Sequence, residues 1–352
     1  EMKAKWHNMN AEEKEQFKIA PKNTVLICAE GGSAGRKVGF TNQEVCFGNK
    51  LFALSANKNN DSRYVFYYYF SSSFQKQFSA SLAGLIGGVS MNKFKEIEIP
   101  VPPLSEQKRI VAILDEAFEK TAKAKENAEK NLKNSKEIFE SYLQSVFEKK
   151  GKEWEEKTLG EVCKKITDGS HNPPKGIDYS EFPMLSSKNV FNDHIDGDSP
   201  RYLKKIDFEN ENKRTEVETG DVLLTIVGTI GRVAIVQKDF NKFTLQRSVA
   251  VLKNKKEIID SRFLMFLLQS IFDEMVEKSR GVAQKGLYLN QIRHLKVSIP
   301  SLKKQQEIVK KLDKLSDETK KLELIYNQKL ADLEELKKSV LQKAFNGELT
   351  SA

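Results

Sequence analysis

Ile99-Pro-Val-Pro-Pro-Leu-Ser-Glu-Gln-Lys-Arg-Ile-Val-Ala-Ile-Leu-Asp115 is the stretch that decides the fold, because the chain contains it twice. The second copy begins at Val297 and reads Val-Ser-Ile-Pro-Ser-Leu-Lys-Lys-Gln-Gln-Glu-Ile-Val-Lys-Lys-Leu-Asp313. Each matched residue lies 198 positions after its counterpart, as Ile308 does after Ile110, and the match continues without a gap to Phe345. A repeat of this length indicates two copies of one structural unit. In each copy, prolines are predicted to end a strand and to let a long helix begin.

The two helices have apolar residues at gaps of three, four and seven, which is typical of a coiled-coil seam. In the first helix these residues are Ile110, Leu114, Phe118, Leu132, Phe139, Tyr142 and Val146; in the second they are Ile308, Leu312, Leu315, Leu322, Tyr326, Leu333, Leu336 and Val340. Each helix would span on the order of 60 Å at about 1.5 Å per residue. Because a small domain cannot bury so long a stripe, we expect the helices to pair with each other, antiparallel. The alternative is that each helix packs on its own domain.

The repeat divides the chain into four parts. Residues 1–98 are interpreted as a first mixed α/β domain, 99–150 as a central helix, 151–299 as a second mixed α/β domain and 300–352 as a C-terminal helix. Within the two domains, Arg63 to Gln77 and Ser261 to Lys278 are predicted to be helices. The segment Trp154 to Pro200 has no counterpart in the first copy, so we expect the first domain to lack its N-terminal part. The expected fold is α+β, with two mixed α/β domains joined by two long antiparallel coiled-coil helices in an internal pseudo-twofold repeat.

Composition limits the classes of partner. The chain has 352 residues, a net charge of +9 and an isoelectric point near 9.1, which favours a polyanion such as nucleic acid. It contains no apolar run long enough for a membrane span, so no membrane partner is expected. The three cysteines are far apart in the sequence, which fits a reducing cytoplasm better than a disulfide framework or a zinc site.

Motif searches indicate that the chain is not an enzyme. It has no phosphate-binding loop for ATP, no glycine-rich nucleotide fingerprint, no metal-ligand spacing among its histidines and no nucleophile marked by a nearby base. Asn172-Pro-Pro-Lys175 is similar to the Asn-Pro-Pro-aromatic signature of adenine methyltransferases, but Lys175 replaces the aromatic residue that would stack on the flipped base. No metal and no cofactor of its own are therefore expected.

Basic and polar residues in predicted loops are the candidate DNA contacts. Arg, Lys, Asn and Gln are the side chains that read base edges, and the amides of glycine turns suit phosphates. The repeated pairs Gly35-Arg36 and Gly231-Arg232 strengthen this interpretation, although a structural ion pair would explain them equally well. The candidate residues are Ser33, Arg36, Asn49, Lys50, His171, Asn172, Lys175, Lys188, Asn189, Lys204, Thr229, Arg232, Arg247 and Lys285.

With these motifs in place, the chain resembles the specificity (S) subunits of type I restriction–modification systems. The resemblance covers nearly the whole chain and is carried by the proline-rich start of each helix together with four shorter motifs and the chain's end. These are Thr158-Leu-Gly-Glu-Val162 after Trp154, Asp168-Gly-Ser-His171, Gly220-Asp-Val-Leu-Leu224, Gly228-Thr-Ile-Gly-Arg232 and Leu341-Gln-Lys-Ala-Phe-Asn-Gly-Glu-Leu349.

The resemblance implies that each α/β unit is a target recognition domain that reads one half of a bipartite site in double-stranded DNA. The helices would set the spacer between the halves and dock two methyltransferase (M) subunits, which methylate adenine with S-adenosylmethionine. Two restriction (R) subunits that use ATP and Mg²⁺ are also expected. These cofactors would be bound by the partner subunits alone. Two alternatives stay open: the recognition subunit of a type IIB-like system, and a coiled-coil scaffold that binds only protein.

Overall fold

The structure is a computed structural model that describes residues 18–83, 87–240, 242–279 and 286–349. Its strands are β1 Lys18–Ala20, β2 Thr24–Cys28, β3 Val38–Phe40, β4 Val45–Phe47, β5 Leu51–Ser55, β6 Glu155–Thr158, β7 Cys163–Asp168, β8 Pro183–Leu185, β9 Val190–Phe191, β10 His194–Ile195, β11 Arg201–Tyr202, β12 Val222–Thr225, β13 Val233–Ile235, β14 Thr244–Leu245, β15 Val249–Asn254 and β16 Lys296–Ile299. Its helices are α1 Ser62–Tyr68, α2 Ser72–Ala80, α3 Met91–Lys95, α4 Leu104–Glu148, α5 Leu159–Val162, α6 Lys205–Thr215, α7 Ser261–Ser270, α8 Phe272–Lys278, α9 Leu289–Arg293 and α10 Leu302–Phe345. Among the described residues, none of these helices is long and apolar enough to cross a membrane.

The chain forms two compact units, and the division falls within both long helices. The first unit combines Glu1–Leu132 with Leu324–Ala352, and the second is Lys133–Glu323. Each unit thus contains one sheet-bearing domain, one part of α4 and one part of α10. The four sequence boundaries given above stay a prediction.

The central sheet of each unit has the same arrangement. In the first unit β2 lies between β3 and β5, and in the second β12 lies between β13 and β15, with β7 added beyond β15; all of these pairs are antiparallel. The second unit also contains the three-stranded sheet β11-β8-β14 and the pairs β9–β10 and β6–β16. The repeat seen in the sequence is therefore a repeat of sheet topology as well.

A buried glutamine joins each domain to the start of its long helix. Oε1 of Gln107 accepts a hydrogen bond from the Asp61 backbone N–H at 2.8 Å, and its Nε2 donates to the Pro102 carbonyl at 2.8 Å. Oε1 of Gln305 accepts from the Asp260 N–H at 2.9 Å, and its Nε2 donates to the Pro300 and Ile258 carbonyls, both at 2.9 Å. Both glutamines are fully buried. This contact explains why glutamine occurs at the same place in both copies.

The repeated Asp-Ser-Arg sequence makes a second link to the helices. The side chains of Asp61 and Asp260 cap α1 and α7 by accepting hydrogen bonds from backbone N–H groups of the first turn. Two residues later, Arg63 pairs with Asp115 of α4, and Nε of Arg262 donates to Asp313 of α10 at 2.7 Å. One short motif therefore begins a helix and orients it against the long helix of its own unit.

In the second unit, Arg262 belongs to a larger ion network. Asp193, in the turn between β9 and β10, accepts hydrogen bonds from Arg262 and from Lys320 of α10. Burial alone would raise the pKa of the Asp193 carboxyl, but the hydrogen bonds and charges of Arg262 and Lys320 outweigh it and hold the pKa below its usual value. Asp193 also adopts a left-handed conformation at φ 71°. The network fixes the β9–β10 turn to the long helix.

The long helices pack antiparallel within each unit. In the first unit, Nζ of Lys125 lies 2.7 Å from Oε1 of Glu334, and Leu114 shares a buried cluster with Leu341. In the second unit, Leu143 of α4 and Leu312 of α10 share one core. The α+β class and the helix pairing expected from the heptads are confirmed within the units.

The seam between the helices differs in detail from the predicted one. Leu336 is 51% exposed, Tyr142 38% and Leu322 37%, so none of the three belongs to it. Small residues are buried instead: Ala128 in the first unit, and Ser135, Ser316 and Thr319 in the second. The hydroxyl of Thr319 donates to the Leu315 carbonyl of its own helix at 3.0 Å, so it can be buried without a partner on the other helix.

Phe147 and Phe345, at equivalent positions near the ends of the two long helices, pack into the domain cores. Phe147, near the end of α4, packs in the second unit against Phe263 of α7, with ring centroids 5.3 Å apart. Phe345, at the end of α10, packs in the first unit against Tyr64 of α1 at 5.2 Å. Each domain is therefore completed by the start of the helix that follows it and by the end of the other helix.

Three predicted elements differ from the structure. The helix expected over residues 63–77 is two helices, because Ser71 caps a new one with its side chain. The helix expected over 261–278 likewise breaks at Ile271. Before Pro100, the described residues contain no counterpart of β16; prolines cannot donate to a strand ladder, and the Gln77 amide bonds the Glu98 backbone instead.

Candidate nucleic-acid interface

The loops of the second unit meet at one end of its central sheet. Strands β7 and β12 end there, and β13 and β15 begin there. In the antiparallel register, the last residues of β7 and β12, Asp168 and Thr225, lie opposite the first two residues of β15. The Leu287 N–H donates to the Ile226 carbonyl at 2.8 Å, which brings a further segment to the same place. We call this the second loop end; it comprises residues 168–172, 186–192, 226–232, 246–248 and 286–289.

Seven of the predicted contact residues lie at the second loop end, and six of them have side chains that are exposed or half-buried. The seven are His171, Asn172, Lys188, Asn189, Thr229, Arg232 and Arg247. The exception is Asn189, which is 4% exposed; its Oδ1 accepts from the Ser186 N–H and its Nδ2 donates to the Asp198 carbonyl at 3.0 Å. The buried Asn189 side chain therefore stabilises its loop through backbone hydrogen bonds and is not available to contact DNA.

The remaining predicted residues of the second unit lie elsewhere. Lys175 is exposed, in a segment that Arg201 holds by donating to the Pro174 carbonyl at 2.8 Å. Lys204 is exposed and precedes α6 at its N-terminus, whereas the C-terminal turn of α6 is the part that contacts β7 through Arg214. Lys285 lies outside the described residues.

The first unit has an equivalent loop end, which includes residues 29–37 and 48–50. Strand β2 ends at Cys28, opposite the first residue of β5, and β3 begins opposite Ile27. All four predicted residues of this unit, Ser33, Arg36, Asn49 and Lys50, lie at this first loop end, and each is exposed or half-buried. The structure thus brings together residues that are separated in the sequence.

The repeated Gly-Arg turns are required by packing. Gly35 and Gly231 have φ angles of 68° and 89°, and a Cβ on either would overlap an aromatic ring, Phe78 or Phe272. Each glycine N–H donates back to the strand before the turn, to Cys28 at 2.8 Å and Thr225 at 2.9 Å. The recurrence is therefore explained by structure, and the turns also hold an arginine at matched places.

The two arginines of these turns differ in their surroundings. Arg36 is exposed. Arg232 lies with its guanidinium 4.8 Å from the centre of the Phe191 ring, which in turn stacks on His194 at 4.9 Å. A cation held over a ring in this way is partly fixed before any ligand binds.

A cluster that the sequence did not reveal anchors the second loop end. Asp168, with its side chain 8% exposed, pairs with Arg214 and lies 2.8 Å from Nε2 of His171. Nε of Arg214 also donates to the Asp168 carbonyl at 2.8 Å. Arg214 follows Asp168 by 46 positions, so no local pattern marks the pair. It ties the C-terminal turn of α6 to the end of β7.

Beside this cluster lies a cavity of about 470 Å³. Its polar lining comes from Asp168, His171, Arg214 and Arg247, and its apolar lining comes from Ile226, Val227, Leu287 and Leu289, with Tyr288 at 63% exposure. A concave site with apolar walls and a few directed polar groups is suited to a planar, polar ligand. Among the described residues, no group of His, Cys, Asp and Glu could hold a metal ion.

Comparison with known proteins places these features in a family. A family model described as the type I restriction modification DNA specificity domain matches residues 3–134 and 151–334. The EcoBI specificity subunit of Escherichia coli is 28% identical over 298 residues, which is 75% of this chain and 60% of that subunit. The EcoKI specificity subunit of Escherichia coli (strain K12) is 25% identical over 366 residues, which is 96% of this chain and 77% of that subunit.

A solved chain of the type I R-M system has the same fold. It superposes with a TM-score of 0.78 at 19% identity and covers 94% of this chain and 83% of its own length. The α+β architecture expected from the repeat is thus confirmed. The chain spans 60% of the length of the EcoBI subunit.

Proposed function

Because the chain belongs to the type I restriction–modification DNA specificity family, we propose that it is the non-catalytic DNA-recognition subunit of such a complex. Each unit would read one half of a bipartite site, and the helix pair would set the spacer and dock two M subunits. Two R subunits would complete the assembly. S-adenosylmethionine, ATP and Mg²⁺ would be bound by the M and R subunits, and the complex would act on DNA in the cytoplasm.

The observation that carries this proposal is the recurrence of one loop end in both units. In each, the central strand leads into a Gly-Arg turn held by the same backbone hydrogen bond and the same glycine–phenylalanine contact. The polar side chains of the two loop ends differ, while the backbone of the Gly-Arg turn that carries them has the same hydrogen bond and packing contact in both units. A duplicated frame with different side chains is suited to two half-sites of different sequence.

The spacer role is supported by the helices themselves. Each helix is continuous through residues of both units, and at about 1.5 Å per residue Leu104–Glu148 spans roughly 65 Å. Because the helices pair antiparallel, a change of length must be made in both. Removing 122–128 together with 331–337, which the Lys125–Glu334 ion pair aligns, would shorten the pair by about 10 Å.

The expected result of this paired deletion is a target whose spacer is shorter by about three base pairs at roughly 3.4 Å each, with both half-sites unchanged. Deleting only 122–128 is the control, because it shifts the register and should destabilise the protein. If the paired deletion folds and its target keeps the same spacer length, the helix pair does not set the spacer.

The experiment that tests the function is the adenine methylation pattern of host DNA, with the gene intact and with it deleted. Loss of one split motif on deletion is the expected result. Loss of a single unsplit half-site would mean that the first unit does not read DNA. An unchanged pattern, in cells that express the methyltransferase, would favour the protein-binding scaffold.

A separate helicase–nuclease gene beside the methyltransferase gene would distinguish the type I system from the type IIB-like alternative.

A further inference from the structure

The arginines of the second unit are not equivalent. Those that the structure describes there, apart from Arg247, have guanidinium groups that already contact other residues of the unit. Arg201 donates to proline carbonyls, Arg214 pairs with Asp168, Arg232 lies over Phe191, Arg262 pairs with Asp193 and Asp313, and Arg293 donates to the Ile166 carbonyl. Among them, Arg247 alone is exposed and has no hydrogen bond, ion pair or ring contact of its guanidinium to the described residues.

The backbone that carries Arg247 is held firmly. Its N–H donates to the Ser170 carbonyl at 2.9 Å, and the Ser170 N–H donates to the Leu245 carbonyl at 2.7 Å. Gly169 allows this close approach, since a Cβ there would overlap the Leu245 backbone. On the other side, the Gln246 N–H donates to the Leu185 carbonyl at 2.8 Å. Because this backbone is already fixed, binding would have to order only the Arg247 side chain.

The cavity beside Arg247 favours one kind of ligand. The Asp168 carboxylate is neutralised by Arg214, so Arg247 supplies the one unpaired charge among the described lining residues. The apolar walls offer no hydrogen-bond donor to a phosphate, and the edge of a base carries acceptors that Arg247 can bind. The planar fork of arginine matches the O6 and N7 acceptors of guanine in the major groove, which is the commonest specific contact between protein and DNA.

We infer that Arg247 is a guanine-reading residue of the second unit, and that it binds the major-groove edge of that base beside the cavity that it lines with Tyr288. This inference rests on the proposed function and adds to it a residue, a base and a half-site. It assigns Lys188, exposed on the neighbouring loop, to a phosphate contact, because an ammonium acts as a point charge and lacks the rigid planar fork of arginine.

The test uses the whole specificity subunit assembled with its methyltransferase. Binding is measured for the duplex of the methylated motif, for duplexes with each base pair replaced in turn, and for unrelated DNA. With Arg247→Ala, the preference for a G·C pair at one position of one half-site should fall by about tenfold or more, while the other positions keep theirs. Arg247→Lys should weaken the same preference less than the alanine change, because lysine keeps the charge without the planar fork, and should keep its affinity for unrelated DNA.

Two control variants separate the roles. Lys188→Ala should weaken binding to every duplex alike and lower the salt dependence. Arg36→Ala, which removes an exposed arginine from the first unit, should leave the affected half-site unchanged. Equal melting temperatures for the Arg247 variants and the wild type would show that the subunit is intact.

The outcomes separate the inference from the proposed function. If Arg247→Ala weakens binding to all duplexes equally, Arg247 contacts a phosphate and the inference fails. It fails as well if every base preference survives, or if the lost preference is for an A·T pair. If the wild-type complex shows no preference among the duplexes, the proposed function itself fails.

Discussion

Gln305→Leu should destabilise the second unit strongly. The change removes three hydrogen bonds of a fully buried amide, each of 2.9 Å, and leaves the Asp260 N–H and two carbonyls without this partner. Each hydrogen bond contributes about 1 kcal/mol net, and a buried group left unpaired costs about 1–3 kcal/mol. Since leucine restores some apolar burial, we expect a loss of roughly 3–5 kcal/mol in the free energy of unfolding, a large share of the ~5–15 kcal/mol of a typical domain.

The neighbouring residue provides the matched control. Gln306 is exposed on the same turn, so Gln306→Leu makes the same chemical change without touching the buried contacts and should cost less than about 0.5 kcal/mol.

Urea unfolding followed by tryptophan fluorescence measures both variants. Trp154 packs against Phe147, with ring centroids 6.2 Å apart, and reports on the second unit. A Trp6→Phe background removes the chain's other tryptophan. If the two leucine variants unfold at the same urea concentration, the buried glutamine does not hold the domain to the helix, and its repetition needs another explanation.

Three further predictions concern other sites. Gly35→Ala should cost roughly 2 kcal/mol in thermal melts, because the new Cβ meets the Phe78 ring at a positive φ, whereas Gly32→Ala, which meets open space, should not. Asp193→Asn should lose stability at neutral pH. Because the pKa of the Asp193 carboxyl is lowered on folding, the difference in stability between variant and wild type should vanish as the pH falls and the carboxyl is protonated. A difference that stays constant with pH would contradict the ion network. Burial raises the pKa of the Cys163 thiol to about 12, so mass spectrometry after alkylation near pH 8 should find it unmodified in the folded protein.

The architecture was predictable because its signals are local or repeated. Heptad spacing marks a helix within a few turns, and the repeat shows several strongly constrained positions twice. The Asp-Ser-Arg motif and the buried glutamine are such positions. The break at Ile271 was not predictable, because Ile271 is itself apolar and its neighbours keep helical spacing, whereas Ser71 opens a run of three serines and is of a residue type that commonly caps a helix.

The interface was predictable only in part. Glycine turns and basic loops can be read from the sequence, so most of the residues named in advance lie at the two loop ends. What the sequence could not show is which arginines are already engaged. Arg214 and Arg247 look alike in the sequence, yet the first is neutralised by Asp168, 46 residues away, and the second is not. Such pairing depends on contacts between distant segments.

The completion of the first unit by Phe345 and Leu341 has a consequence for synthesis on the ribosome. Lys133–Glu323 contains both helix segments that its own domain needs, whereas Glu1–Leu132 must wait for residues that are translated after the whole second unit. At about 5–20 residues per second, this delay is on the order of ten seconds or more. During it, Tyr64 and Leu114 lack their covering partners, so the nascent first unit is the part of the chain that a chaperone would have the longest opportunity to bind.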